Sequence, residues 1–163
     1  MKKLANLSIF IFSIIWFSAC DEQRVYEQNV DLQGNDWYMD SIPSFSFEVS
    51  DTNEIYNLSL NLRNAIDYPY SNIYIKYFLA DSTGKEINSS LVRLFLFNEK
   101  TGEPFGDGLG DIFDHQFLLL KDFRFPYAGK YQVKLQQYMR KDPLPFIVSV
   151  GVRIEKSQPD PVN

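Results

Sequence analysis

The chain has 163 residues, of which 45% are hydrophobic and 16% aromatic, and its formal net charge is −5 at pH 7. This acidic balance disfavours nucleic acid, which attracts a basic stripe, and disfavours electrostatic docking onto anionic lipid, which requires clustered Lys and Arg. A single cysteine cannot form an intramolecular disulfide, so a hydrophobic core has to stabilise the fold.

The first 19 residues have the pattern of a secretory signal peptide. A basic start precedes the almost wholly apolar residues 4–17, and Ser18 and Ala19 follow directly before Cys20. The apolar run is short for a transmembrane span, which needs about 20 residues. The small residues and the cysteine resemble a lipobox. We therefore predict a lipoprotein signal peptide over residues 1–19 and acylation of Cys20.

Composition divides the rest of the chain into three parts. Residues 20–41 are mostly polar, which predicts a lipidated tether whose far end docks on the domain through Trp37. Residues 42–156 carry the strand-like segments, and their number suits one ordinary domain. Residues 157–163 include two prolines, so we predict a disordered tail.

Apolar and polar residues alternate repeatedly after Ser44, which is the pattern of half-buried strands. The alternating segments are 45–49, 56–62, 73–79, 131–135 and 148–154. Residues 91–97, 112–120 and 123–125 predict further strands, the last two separated at Lys121. Seven or eight strands without a helical stripe predict an all-β fold: an antiparallel two-sheet β-sandwich, Ig-like or jelly-roll-like. A small closed β-barrel is the alternative, because periodicity does not separate the two.

Few residues have the pattern of a catalytic or metal site. His115 is the only histidine, so no site with two or three His ligands can form, and no G-x-S-x-G motif is present. Glu99 and Glu103 flank a loop, but nothing in the sequence indicates that they form the carboxylate pair of a glycosidase. We predict no catalytic residue, no cofactor and no metal.

Residues 106–111 read Gly-Asp-Gly-Leu-Gly-Asp. The segment lacks the lysine of a phosphate-binding loop, and the spacing of Asp107, Asp111 and Asp114 does not match the EF-hand calcium loop. We therefore interpret it as a glycine-rich turn with solvated acids.

Tyr68 and Tyr70 place two aromatic rings on a turn, and Pro69 between them restricts the backbone of that turn. Exposed aromatic side chains on a rigid loop are typical of a contact surface. The alternative is that both tyrosines fold back and cap the edge of the sandwich. We take these three residues, with Asp107 and Asp111, as candidate partner-binding residues. Whether the two loops share one end of the sandwich is open at this point.

Several segments together resemble the gliding-motility lipoprotein H (GldH) family. Besides the lipobox they are Arg24-Val25-Tyr26-Glu27, Trp37, Asn61-Leu62-Arg63-Asn64, residues 67–72, residues 106–112, Arg124-Phe125-Pro126, Gln137-Tyr138-Met139-Arg140 and residues 150–156. The resemblance implies an envelope lipoprotein needed for gliding over surfaces and associated with the machinery that moves and secretes adhesins. It implies no cofactor and no catalytic residue.

We therefore predict a non-enzymatic, lipid-anchored component of the gliding apparatus, in the outer membrane and facing the periplasm. Its expected partners are the membrane, through the acyl chains, and other gliding or secretion proteins, with no nucleic acid and no small-molecule substrate. The first alternative is a carbohydrate-binding envelope lipoprotein, because aromatic-rich sandwiches often stack sugars on flat rings. The second is a hydrolase.

Overall fold

A computed structural model describes residues 23–157. Within this range the chain forms eleven strands and one 3₁₀ turn, Gln33–Asn35, and no α-helix. None of its helical segments has the length and apolar character needed to cross a membrane. The strands are β1 Arg24–Asp31, β2 Asp36–Trp37, β3 Ser44–Val49, β4 Tyr56–Ala65, β5 Asn72–Asp81, β6 Glu86–Phe95, β7 Asp107–Leu109, β8 Ile112–Phe123, β9 Gly129–Gln137, β10 Leu144–Pro145 and β11 Ile147–Lys156.

The strands form two main antiparallel sheets and one short strand pair. The five-stranded sheet has the order β1-β11-β4-β8-β7, the four-stranded sheet has the order β3-β9-β5-β6, and β10 pairs with β2. Neither main sheet closes on itself. The prediction of an all-β antiparallel two-sheet sandwich is therefore confirmed over the closed barrel.

The alternating segments supply the core between the two sheets. Leu60 on β4, Ile75 on β5 and Val152 on β11 are fully buried and belong to the core cluster. Burying each such side chain contributes about 1.5–3 kcal/mol relative to leaving it exposed. The period-two pattern therefore assigned the inward face of these strands correctly.

An aromatic cluster closes one end of this core. Phe125 lies two residues after the end of β8, and its ring centroid lies 4.6 Å from that of Tyr131 and 5.4 Å from that of Tyr56. The Tyr131 hydroxyl also donates to the carbonyl of Tyr127, four residues upstream, over 2.5 Å. These contacts stabilise the crossing of the chain from the five-stranded to the four-stranded sheet.

The loops divide between the two ends of the sandwich. The Arg24 end carries loops 50–55, 82–85 and 124–128, and β1 begins there. The Tyr70 end carries the other connections, which are residues 32–43, 66–71, 96–106, 110–111 and 138–146. The tyrosine loop and the glycine-rich segment therefore lie at the same end, and the backbone N–H of Ile66 donates to the carbonyl of Asp111 over 2.8 Å.

The prediction that residues 20–41 form a tether is wrong for residues 24–37. Arg24–Asp31 is an edge strand that pairs with β11 from Glu155 to Ser149, and Trp37 is fully buried. The polar sequence was misleading because Tyr26 is the only side chain of this strand that packs on the core cluster. The predicted signal peptide, Cys20 and residues 158–163 lie outside the described range.

Two other boundaries differ from the prediction. Residues 112–123 form one continuous strand, in which irregular pairing with β4 and a positive φ of 52° at Asp122 accommodate the expected break. The strand predicted over residues 91–97 is β6, Glu86–Phe95, which starts earlier. Leu96 and Phe97 follow β6 and are buried beneath the next loop.

Candidate partner-binding site

The two tyrosines of the Tyr68-Pro69-Tyr70 turn have different environments. Tyr68 is 5% exposed, and its hydroxyl donates to the carbonyl of Asn72 over 3.0 Å. Burial raises its pKa above the ordinary tyrosine value. Tyr70 is 39% exposed and meets the Tyr68 ring edge-to-face at 5.7 Å. Tyr68 therefore caps the core, whereas Pro69 and Tyr70 lie at the surface.

Tyr70 borders a concavity of about 490 Å³, which we call the tyrosine concavity. Its lining comprises Tyr70, Tyr74, Tyr138, Met139 and Arg140. The three tyrosines are 36–45% exposed, so each presents part of an aromatic face to solvent. Aromatic side chains and Arg are the residue types that most often dominate protein–protein binding energy.

The tyrosine concavity is formed by the loop before β5, by β5 itself and by the loop that follows β9. The backbone N–H of Tyr138 donates to the carbonyl of Tyr74 over 2.8 Å, and the N–H of Tyr74 contacts Met139 Sδ at 3.3 Å. The buried Gln137 side chain supports this loop: its Oε1 accepts from the Met139 N–H at 2.7 Å, and its Nε2 donates to the carbonyls of Lys141 and Trp37. The concavity is therefore tied to the core through Gln137.

The glycines of residues 106–111 allow close packing and a tight turn. A Cβ at Gly106 would lie 2.8 Å from the His115 ring, and a Cβ at Gly108 would lie 2.3 Å from the Phe113 ring. Gly110 has a φ of 69° at the first position of the two-residue turn between β7 and β8, which suits a type II′ hairpin. The prediction of a turn holds only for residues 110–111, because Asp107–Leu109 forms strand β7.

Asp107 and Asp111 are both exposed, as expected of contact residues. Asp107 lines a polar depression of about 370 Å³ on the outer face of the five-stranded sheet, near the Tyr70 end. There Arg63 makes a two-point contact with Asp114, with Nε–Oδ1 at 2.6 Å and Nη2–Oδ2 at 3.2 Å. Asp31 borders the same depression, so its charge is mainly acidic.

The floor of the polar depression depends on a residue without a side chain. Gly151 pairs with Asn29 on β1 and with Asn61 on β4. The Asn61 amide crosses over Gly151 and donates to Asn29 Oδ1 at 3.2 Å and to Glu27 Oε1 at 2.9 Å. The side chains of β1 and β4 are thereby connected across β11.

The similarity of the chain to known proteins decides its family. The family model described as GldH lipoprotein matches residues 24–154, most of the chain. The chain belongs to the GldH lipoprotein family. It is 35% identical to the "Gliding motility lipoprotein GldH homolog" of Christiangramia forsetii, over 96% of this chain and 99% of that protein. It is 28% identical to the "Gliding motility lipoprotein GldH" of Flavobacterium johnsoniae, over 94% and 98% of the two chains.

Similarity to solved structures is much weaker. The VP2 subviral particle of infectious bursal disease virus has a TM-score of 0.37 and 7% identity, over 80% of this chain and 32% of that chain. A two-domain esterase active on acetylated mannans has a TM-score of 0.34 and 14% identity, over 86% of this chain and 38% of that one. This chain therefore spans about a third of their lengths, and TM-scores this low carry no argument about function.

Several of the segments that resemble the GldH family lie at the polar depression and at the tyrosine concavity. Glu27, Asn61 and Asp107 come from three such segments and line the polar depression. Tyr70 and Tyr138 come from two others and line the tyrosine concavity. The candidate list from the sequence missed Tyr138, although it lies in the Gln137–Arg140 segment, because pairing between β5 and β9 was not visible in the sequence.

His115 has a structural environment in this GldH-family fold. It is 7% exposed, its ring stacks on Phe117 at 5.5 Å, and its Nε2 lies 2.9 Å from Asn64 Oδ1. The Asn64 amide nitrogen donates to the Ala65 carbonyl, so the Asn64 amide oxygen accepts a hydrogen bond from the Nε2–H of His115. Among residues 23–157, no group of three or more His, Cys, Asp or Glu side chains is placed to hold a metal ion.

Burial makes the stability of the domain depend on pH through His115. Desolvation lowers the pKa of its imidazole, against the opposing charges of Asp114 and Asp107. The unfolded chain, with an imidazole pKa of about 6.5, therefore binds more protons than the folded chain as pH falls below that value. We expect the free energy of unfolding from urea titrations to fall between pH 7.5 and pH 5.5. His115→Gln should flatten that dependence, and an unchanged slope in the variant would contradict the assignment.

Proposed function

We propose that this protein is a non-enzymatic component of the bacterial gliding-motility apparatus, anchored to the cell envelope by acyl chains on Cys20. It acts with the proteins that move and secrete surface adhesins, from the periplasmic face of the outer membrane. Membership of the GldH lipoprotein family over residues 24–154 is the observation that carries this proposal. The names of both relatives refer to gliding motility.

The tyrosine concavity is the surface best suited to hold a partner protein. It places three partly exposed aromatic rings beside Met139 and Arg140. Because Tyr74 lies on a strand and Tyr138 is bonded to that strand, the rings are presented by a framework that needs little ordering on binding. The exposed acids Asp107 and Asp111 lie towards the same end of the sandwich.

The test is the double variant Tyr70→Ala, Tyr138→Ala. Truncating aromatic hot spots costs about 2 kcal/mol or more of binding free energy, which is about thirtyfold in affinity. We expect the variant to retain its level in the envelope and its melting temperature but to lose gliding and co-purification of the envelope partner. Tyr68 is left intact because its burial would make truncation destabilising.

Leu118→Ala is the matched control for this experiment. Leu118 is 50% exposed and lies on the outer face of the five-stranded sheet, outside the tyrosine concavity. This variant should glide and retain its partner. Normal gliding of the tyrosine double variant, with its partner still bound, would remove the concavity from the proposal.

Carbohydrate binding is the second candidate, favoured by the three exposed tyrosines around one concavity. Sugar rings stack on aromatic faces, and tyrosine hydroxyls can bind their polar edges. Titration of the soluble domain with cell-surface oligosaccharides separates the two candidates. Saturable shifts of the Tyr70 and Tyr138 ring resonances would favour the sugar, whereas their absence alongside partner loss in the double variant favours the protein.

A further inference from the structure

The chain between Cys20 and the folded domain is very short. The carbonyl of Gln23 accepts a 2.8 Å hydrogen bond from the N–H of Lys156, so the chain is held by the sandwich from Gln23 onward. Three peptide units separate Cys20 from Gln23, and each spans at most about 3.6 Å. An acylated Cys20 therefore lies within about 11 Å of the Arg24 end.

The loops at the two ends differ in charge. Those at the Arg24 end carry two acids and two bases, and residues 21–24 beside Cys20 add two acids and one base, which leaves a net charge of −1. Those at the Tyr70 end carry seven acids and three bases, which leaves a net charge of −4. An anionic headgroup layer therefore repels the Tyr70 end more strongly than the Arg24 end.

We propose that the Arg24 end docks on the lipid headgroup layer and that the Tyr70 end faces away from the membrane. The inference rests on the acylation of Cys20 in the proposed function. β4 runs between the two ends and spans about 30 Å at about 3.3 Å per residue. The tyrosine concavity is thus held about 30 Å above the headgroups, where it meets a partner that is not buried in the same leaflet.

The alternative orientation lays the domain on the outer edge of β1. That orientation would bring Glu27 and Asp31 towards the headgroups together with the acidic loops of the Tyr70 end. Charge therefore favours the upright orientation. The two orientations also predict different distances between the membrane and the two ends of a single strand, which makes them separable.

Three serines around β3 provide a graded test. Ser50 lies at the Arg24 end, Ser46 at mid-strand and Ser41 at the Tyr70 end, and all three are exposed. Each is replaced singly by cysteine in the full-length lipoprotein. Cys20 is the only natural cysteine, and its acylated sulfur is a thioether, so the new thiol alone reacts with a fluorescent donor. The protein is placed in phosphatidylethanolamine–phosphatidylglycerol vesicles that carry a headgroup acceptor.

Energy transfer should be strongest at position 50, intermediate at 46 and weakest at 41. Equal transfer at the three positions, as in the flat orientation, or the reverse order would overturn the inference. Shielding of the position 50 dye from both aqueous and headgroup quenchers in native envelopes would indicate that a protein covers the Arg24 end, and would also overturn it.

Mass spectrometry of the mature N-terminal peptide separates this inference from the proposed function. An unacylated Cys20 would overturn the anchor and the orientation together. An acylated Cys20 with equal transfer at all three positions would overturn the orientation alone. A flexible twelve-residue Gly-Ser insertion after Glu22 should abolish the gradient, whereas the same insertion after Asn163 should preserve it. A gradient that survived the first insertion would show that the short tether does not set the orientation.

Discussion

Trp37→Ala is expected to destabilise the domain by about 3–5 kcal/mol, which is the usual cost of truncating a fully buried tryptophan. Trp37 is 0% exposed, its indole N–H donates to the Ser41 carbonyl over 2.9 Å, and its backbone pairs with Leu144. Because a domain is stable by only about 5–15 kcal/mol, this loss should raise the unfolded fraction of the protein and lower its level in vivo. Urea titration of residues 21–163 measures the change.

The effect should extend to the tyrosine concavity. Gln137 donates to the Trp37 carbonyl and also holds the loop that carries Met139. Tyr38→Ala is the matched control, because the adjacent Tyr38 is 48% exposed, and it should change stability by no more than about 0.5 kcal/mol. Equal stability of the Trp37 variant and wild type would show that residues 32–43 do not belong to the core.

The strands that the sequence identified share one property. β4 and β11 lie inside the five-stranded sheet, and each exposes one face to solvent, so apolar and polar side chains alternate along them. In β1 only Tyr26 packs on the core, and the pairing is irregular between Arg24 and Tyr26, so the strand shows no alternation. Its polar sequence could therefore not be distinguished from a tether by periodicity.

The candidate site was predicted only in part, for a similar reason. A single loop could be recognised from Pro69 and the two tyrosines beside it. Which of the two rings is buried depends on the hydrogen bond from the Tyr68 hydroxyl to the carbonyl of Asn72. Tyr74 and Tyr138 are 64 residues apart in the chain and meet because β5 pairs with β9. Long-range pairing of this kind leaves no local pattern in a single sequence.

Gly151 shows how a family segment can be explained by packing. A Cβ at this position would lie 2.5 Å from the backbone oxygen of Gln28 and 1.8 Å from Asn29 Oδ1. The Asn29 side chain can rotate away, but the Gln28 oxygen belongs to β1 and can move only with the strand. Val at position 151 would therefore push β1 away from β11.

We expect Gly151→Val to destabilise the domain by about 3 kcal/mol, at the upper end for inserting bulk into a packed site. Ser46→Val is the matched control, since it places the same β-branched side chain at an exposed strand position and should change stability by at most about 0.5 kcal/mol. Hydrogen exchange locates the effect: amides of β1 should lose protection before those of β4. Loss of protection spread evenly over both strands would contradict a local displacement of β1.

The displacement of β1 should also affect the orientation of the domain on the membrane. Because β1 joins the domain to Cys20, its displacement should release the Arg24 end from its fixed distance to that residue. The graded energy transfer along β3 should therefore weaken in the Gly151→Val variant.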